Sequence, residues 1–447
     1  MTSRYKKWQP GTLSFSPPCP KSRLNSTHLI SAVLVTFDIT LSEEMNLSSA
    51  HLFLGEQTAM INNFNTVAKP GGNLCNLACD YCFYLENSVP RSACAIMDDA
   101  TLEAYIHNTI ASTPSQEVAF CWQGGEPTLC GIGFFEKVIA FQQRHASNKT
   151  IHNSLQTNGV LLNDAWALFL KEHRFLVGLS VDGPPSIHNT WRKTGSGKPT
   201  YSKVVRAIRC LQKHDVPINA MVVVSQRAEA QGKSVYRWLT QELNLRHIQF
   251  IPLVEPHTAW AVSPAGWGLF LRDAFDEWLK KDVGEVFVQF FDNLLGVWIG
   301  EPATLCTMQP TCGQSLLVEK NGDVYSCDHY VSPKYKLGNL TQDSMLALAN
   351  SPFQQRFGQE KARLSARCIA CQWRFACYGG CPKHRVISHD NEAQNYLCAG
   401  YLAFFRHITP YMNVMRKLLL NHQPPAWVMD NVPEIREQVK KLMELEK

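Results

Sequence analysis

Long hydrophobic runs are missing from this 447-residue sequence. A bilayer-crossing helix needs about 20 consecutive apolar residues, and no segment reaches that length. The nearest stretch, Leu29 to Phe37, is ended by Asp38. Lys21 and Arg23 stand before it as in a secretory leader, but no small-residue cleavage site clearly follows. No membrane association is expected. A strong charge of one sign is also missing. The chain has 43 basic and 38 acidic residues, a net charge of +5, with the basic residues spread out. Nucleic-acid binding is therefore not expected either. Solenoid-type repeats and low-complexity tracts are absent, which excludes repeat arrays and fibrous classes.

Cysteine is what the sequence does have: 16 residues, most of them in spaced groups. Dense cysteine in a short secreted chain signals disulfides. This chain is long and its groups have metal-ligand spacing, so a reducing compartment (the cytoplasm) and iron–sulfur or zinc ligation are expected. The apolar fraction of 45% is that of a globular protein. The length favours a large catalytic domain followed by a smaller one.

From about residue 60, short β-rich runs alternate with longer amphipathic stretches. Strands are expected at 65–68, 118–122, 154–157, 177–181, 218–224 and 248–252. Helices are expected between them at 102–112, 133–146, 164–172, 202–214 and 235–243. The fold class is α/β: six such units over 61–262 make a partial (β/α)6 barrel, with its site at the C-terminal strand ends. Residues 263–303 read as a helical bridge, 304–405 as a small cysteine-rich domain, and 406–447 as a helical tail resuming near Pro410. The cysteine-rich region has too little periodicity to bury a large core, so metal staples are expected to hold it. Residues 1–60 read as a poorly ordered extension, with Met45 and Met60 as alternative starts.

Cys75, Cys79 and Cys82 form C-x3-C-x2-C directly after the first expected strand. Thiolates suit soft iron, and a compact loop lets three sulfurs converge on one cluster. Three protein thiolates leave one iron of a 4Fe-4S cluster open to a chelating ligand. Structural zinc would want four ligands, and the only neighbour, Cys94, reads as a buried or free thiol. The motif, with Tyr81 inside it, resembles that of the radical S-adenosylmethionine superfamily, and the resemblance spans roughly residues 64–400. It implies that S-adenosyl-L-methionine chelates the open iron and is reductively cleaved to methionine and a 5′-deoxyadenosyl radical.

About 40 residues later stands Gln123-Gly124-Gly125-Glu126-Pro127-Thr128-Leu129. Glycines let a backbone approach a ligand closely, although Gly-Gly-Glu-Pro alone is equally a turn. The resemblance implies that Gly124 and Gly125 receive the methionine amine and that Gln123 faces a peptide substrate. The fourth strand ends in Ser180-Val181-Asp182-Gly183, with Arg192 beyond. By resemblance, Tyr81 joins the cofactor contacts, Ser180 meets the ribose side, and Arg192 grips the cofactor carboxylate through its planar fork. Leu253 would contact adenine. On the residues alone, Arg192 can also be read as a solvated surface arginine and Leu253 as a core residue. Asn158-Gly159 is a turn signal and receives no catalytic role.

Eight further cysteines follow: Cys306, Cys312, Cys327, Cys368, Cys371, Cys377, Cys381 and Cys398. Eight thiolates saturate two 4Fe-4S clusters, or form two zinc-ribbon sites. The arrangement resembles the SPASM extension of peptide-modifying radical enzymes. That implies three clusters in all and interleaved ligands, with Cys306, Cys312, Cys327 and Cys381 on one cluster and Cys368, Cys371, Cys377 and Cys398 on the other. The runs Cys327-Asp328-His329-Tyr330 and Cys381-Pro382-Lys383, with Gln123–Leu129, most resemble the anaerobic sulfatase-maturating enzymes. The resemblance then implies oxidation of one Cys or Ser of a sulfatase polypeptide to Cα-formylglycine, with Asp328 as base and a flavodoxin- or ferredoxin-type electron donor. The alternatives are another SPASM-type maturase, such as a thioether-forming one, and a zinc-binding interaction protein.

Overall fold

The computed structural model of the protein describes residues 64–82, 96–387 and 393–437. The expected N-terminal extension, 1–60, and Cys94 lie outside them. Each of the six expected strands overlaps a strand of the structure: β1 (Asn65–Lys69), β2 (Glu117–Trp122), β3 (Thr150–Thr157), β4 (Leu176–Ser180), β5 (Ile218–Val224) and β6 (His247–Pro252). They pair in parallel in that order. In β5 every second side chain is buried, the period-two pattern of a strand with one face on a core.

The connecting helices are α1 (Asp99–Ser112), α2 (Ile132–His145), α3 (Asp164–Glu172), α4 (Pro185–Trp191), α5 (Tyr201–Lys213) and α6 (Gly232–Arg237). Helix α1 starts where Asp98 accepts from the Thr101 backbone N–H at 2.7 Å, and α3 where Asn163 accepts from Trp166. Each cap satisfies one of the orphan amides of a helix N-terminus. Fully buried Trp122 on β2 meets Tyr105 of α1 and Phe135 of α2 edge-on. Its indole N–H donates to Asn153 on β3. Helix and sheet layers are thus locked at one aromatic node.

The sheet continues past the six expected strands. Two residues of the bridge, β7 (Phe287–Val288), extend it parallel to β6, between α7 (Pro264–Lys281) and α8 (Gln289–Trp298). On the opposite edge β8 (Ser315–Glu319) pairs in parallel with β1, residue for residue from Asn65↔Ser315 to Lys69↔Glu319. Strands β9 (Asp323–Tyr325) and β10 (Lys336–Asn339) then turn back antiparallel. The cysteine-rich region therefore shares the barrel's sheet. Contrary to expectation it also feeds a core, through buried Leu316, Leu317, Val318, Val324, Leu340 and Met345. Strands of two to four residues, as β7, β9 and β10 are, carry too little periodicity to be read from sequence.

A long helix, α9 (Cys398–Leu420), begins twelve residues before Pro410 and runs through it. Phe404, Phe405, Ile408, Tyr411 and Met412 are buried along it, and this packing carries the helix past the lost hydrogen bond. It crosses α7 where Gly268 faces Gly400: a Cβ on Gly400 would stand 2.0 Å from the Pro264 carbonyl oxygen. Cys398 is thereby held at a fixed helix crossing. No helix among the described residues is long and apolar enough to cross a membrane.

Candidate active site

The loop after β1 carries Cys75, Cys79 and Cys82. The Gly-Gly segment after β2 closes on it. Gly125 N–H donates to the Gly72 carbonyl at 2.8 Å, and Glu126 N–H to that of Leu74 at 2.7 Å. Gly124 sits at φ +127°, and a Cβ on Gly125 would lie 2.1 Å from the Leu74 carbonyl oxygen. These glycines are required by the cysteine loop itself, a reason the sequence does not reveal. Glu126, buried beneath, accepts from the Thr128 and Thr157 hydroxyls and from the Asn158 backbone N–H. Burial raises its carboxyl above the usual range, against those hydrogen bonds. Asn158, expected only to turn the chain, reaches the same loop: its side-chain amide donates to Asn76 Oδ1 at 2.7 Å and touches Cys75 Sγ at 3.9 Å.

Asp182, just past β4, ties the other side together. Its Oδ2 accepts from the Tyr81 hydroxyl at 2.6 Å and from Arg192 Nε at 2.8 Å, and its Oδ1 accepts from the Val223 N–H on β5. The Arg192 guanidinium lies 5.5 Å from the centre of the Tyr81 ring. Arg192 is only 8% exposed, so it is not a solvated surface residue. Behind it, His188 Nδ1 accepts from Asp182 N–H, His188 Nε2 meets the Thr200 hydroxyl, and that hydroxyl donates to the Arg192 carbonyl. Burial pushes His188 down to about 4, so the ring is neutral. Gln123 follows β2, its N–H bonded to the Ala68 carbonyl. Ser180 ends β4, and Leu253 bonds the backbone of Val224 and Val262.

The later cysteines gather into two fours. Burial pushes Cys306 and Cys312 up to about 11, and nearby Cys381 raises both further. Cys327 is raised by burial, then by Asp328 and by Cys306. Burial also brings Cys377 up to about 11, with added effect from Cys398, Cys368 and Cys371. Those four line one cavity with Trp373, Tyr401 and Phe405. Fully buried Lys361 clamps the first foursome's loop, its Nζ donating to the carbonyls of Cys306, Thr307 and Gln309.

Asp328 lies between the two halves, where its Oδ1 accepts from Cys327 Sγ at 3.4 Å. On the barrel side, burial pushes Cys121 on β2 up to about 11, with Asp328 contributing. Burial lowers Lys69 at the end of β1, opposed first by Glu319, 3.1 Å away, and more weakly by Asp328. The charge of Asp328 is thus felt at the barrel mouth as well as among the later cysteines. Neither the Lys69–Glu319 pair nor the Asp182 hub has a signature in sequence, because the partners are 250 and 101 residues apart.

Residues 70–239 match the family model of the radical SAM superfamily, and residues 306–372 that of SPASM, an iron–sulfur cluster-binding domain. The serine-type anaerobic sulfatase-maturating enzyme of Bacteroides thetaiotaomicron is 42% identical over 388 residues, 81% of this chain and 94% of its own length. The chain belongs to the anaerobic sulfatase-maturating enzymes. The cysteine-type enzyme of Clostridium perfringens is 36% identical over 354 residues, 76% of this chain and 95% of its own. A solved structure of anSMEcpe with bound AdoMet and the Cp18Cys peptide superposes with a TM-score of 0.74 at 34% identity, covering 79% of this chain and 99% of that one. Streptococcus suis SuiB bound to its precursor peptide SuiA shares the fold alone, with a TM-score of 0.57 at 11% identity, covering 83% and 87%. Neither the thioether-forming nor the zinc-binding alternative is favoured. As a sulfatase-maturating family member the chain is a radical SAM oxidoreductase. Its soft sulfur donors, one three and two fours beside partly buried space, fit iron–sulfur clusters.

Proposed function

We propose that this protein oxidises one Cys or Ser of a sulfatase polypeptide to Cα-formylglycine in the reducing cytoplasm, drawing its electron from a flavodoxin- or ferredoxin-type donor. Cys75, Cys79 and Cys82 would hold the cluster that binds S-adenosylmethionine. Cys306, Cys312, Cys327 and Cys381 would hold a second, and Cys368, Cys371, Cys377 and Cys398 a third. When bound, the first cluster and S-adenosylmethionine supply one-electron removal of a substrate hydrogen.

The protein's own groups orient the reactants and move the proton. Arg192 is fixed through Nε by Asp182, so its outer edge is left for a carboxylate of the cofactor. Tyr81 and Ser180 border that position, Gly124 and Gly125 offer backbone atoms to the amine, and Leu253 packs the adenine side. Gln123, beside the barrel mouth, holds the peptide. Asp328 accepts the thiol or hydroxyl proton of the target residue at its Oδ atoms. The adjacent Cys327 fixes its backbone, so the carboxylate is held in place. The later clusters, when bound, would take the second electron, and with Cys as the target water then converts the resulting thioaldehyde to formylglycine with release of hydrogen sulfide.

The observation that carries this reading is the position of Asp328, whose charge acts on Cys121 in the barrel and on Cys306 and Cys327 in the later set. The test is anaerobic incubation of reconstituted protein with Cys and Ser versions of a sulfatase peptide, read by mass spectrometry. Conversion to formylglycine supports the reading, and an intramolecular crosslink overturns it. Asp328→Asn is expected to keep S-adenosylmethionine cleavage and lose aldehyde formation by about 100-fold or more. Unchanged aldehyde formation would remove Asp328 from the mechanism.

A further inference from the structure

Residues 361–386 carry four of the later cysteines and hold six Lys or Arg with no Asp or Glu, whereas the whole chain is nearly balanced. Some of these cations serve the fold. Lys361 clamps the 306–309 loop, and Arg385 donates to the carbonyls of Lys361, Tyr378 and Gly379. Arg367 and Arg374 face solvent beside the second foursome, and exposed Arg406 lies over Trp373. Among them stand Ile369 at 56% exposure, Phe375 at 42% and Val386 at 39%. An apolar centre beside a surplus of basic residues is the composition of a transient docking face. The acidic groups nearby are Glu229, which acts on Tyr396, and Glu360, which pairs with Arg363.

The face lies against the sulfur group. A surface cavity of about 200 Å³ is lined by Arg367, Val386, Gln394 and Cys398. Arg367, Gln394 and Cys398 also line the cavity shared by Cys368, Cys371 and Cys377. A group held there is one wall from solvent.

We propose that this face docks a small acidic one-electron carrier protein, of flavodoxin or ferredoxin chemistry, which exchanges one electron with the cluster on Cys368, Cys371, Cys377 and Cys398. The proposal rests on the cluster reading above and adds where the partner binds. In the reaction proposed above, hydrogen removal takes one electron from the target residue and the second would pass to the later clusters. The docked carrier is reduced by that electron while the cluster is oxidised by one, and no atom crosses the interface. Steering explains the one-sided charge: a positive face raises the encounter rate with an acidic partner, and salt screens it. Arginines that only offset the cluster's negative charge would tune its potential without making transfer depend on the carrier's charge.

The experiment mixes reduced, anaerobically reconstituted holoprotein with oxidised flavodoxin and follows carrier reduction by stopped flow, with no sulfatase peptide present. Transfer should slow steeply as salt rises from about 0.05 M to about 0.3 M. Arg367→Glu with Arg374→Glu should slow it about tenfold or more at low salt. Oxidation by a small uncharged oxidant and the iron content should stay as in the wild type. Ile369→Ser should slow transfer without altering its salt dependence. If the double variant loses iron, Arg406→Glu tests the same face from outside the cysteine-bearing segment. A salt-independent rate, a charge-reversed variant as fast as wild type, or an equal loss with the uncharged oxidant would overturn the proposal. Because no peptide is used, failure here and failure of peptide oxidation are told apart.

Discussion

Asp182 binds Tyr81, Arg192 and the Val223 amide, three partners from three parts of the chain. It is 1% exposed and Arg192 is 8% exposed, so each charge depends on the other for compensation. Breaking a buried pair by removing one partner costs about 3–5 kcal/mol. Asp182→Ala should therefore lower the urea midpoint of the holoprotein markedly and weaken S-adenosylmethionine binding, measured by equilibrium dialysis. His188 sets a pH limit in the same place. Its folded value of about 4 lies below the ordinary 6.5, so the unfolded chain binds the extra proton first. The stability it contributes, about 3 kcal/mol at most, is complete above pH 6.5 and is lost as pH falls toward 4. His188→Gln should flatten that part of the denaturation profile, and an unchanged profile would refute the assignment. In the sequence, the spacing of the cysteines marks them as a set, whereas the burial of Arg192 against Tyr81 and Asp182 is visible only in the fold. Nothing in the sequence marks Asp182 beyond its place at a strand end, because Tyr81 and Val223 meet it only through the fold.

Among the elements, the six barrel strands were readable as short β-rich runs between longer amphipathic stretches, most clearly β5, where every second side chain is buried. Strands β7, β9 and β10 were not, since two to four residues leave no period to detect, and β8 stands among cysteines and turns with no βα alternation around it. The Gly-Gly turn was legible as a close approach, but the approaching partner was not. A Cβ at Gly125 would have to displace the Leu74 carbonyl, and the cysteine loop would move with it. Gly125→Ala is expected to lose the iron held by Cys75, Cys79 and Cys82 while the later fours keep theirs. Iron analysis and the loss of S-adenosylmethionine cleavage would show this. Full iron content with normal cleavage would mean that the loop tolerates the shift.

At the scale of the whole molecule, the two family regions are parts of one ten-stranded sheet. Ending the chain at residue 303 would strip β8 from β1 and leave the central barrel edge unpaired, an invitation to aggregation. Such a fragment should be recovered largely as aggregate by size-exclusion chromatography, even though it keeps every residue of the first cysteine group. A monodisperse fragment would show that the sheet's continuation is dispensable. The alternation of βα units made the barrel legible. Its continuation through 315–339 was hidden, because parallel pairing across some 250 residues is set by register and not by local pattern.

That register has a further consequence. Lys69 and Glu319 occupy the same rung, the loop to Cys75 departs from one and the chain to Asp328 from the other. A parallel strand keeps its faces only when it slips by two residues, about 6.6 Å. The offset between the loop to Cys75 and the chain to Asp328 is therefore graduated like a ratchet. Related enzymes that fit larger or smaller target side chains are expected to do so by reshaping loops, because the sheet offers no intermediate notch.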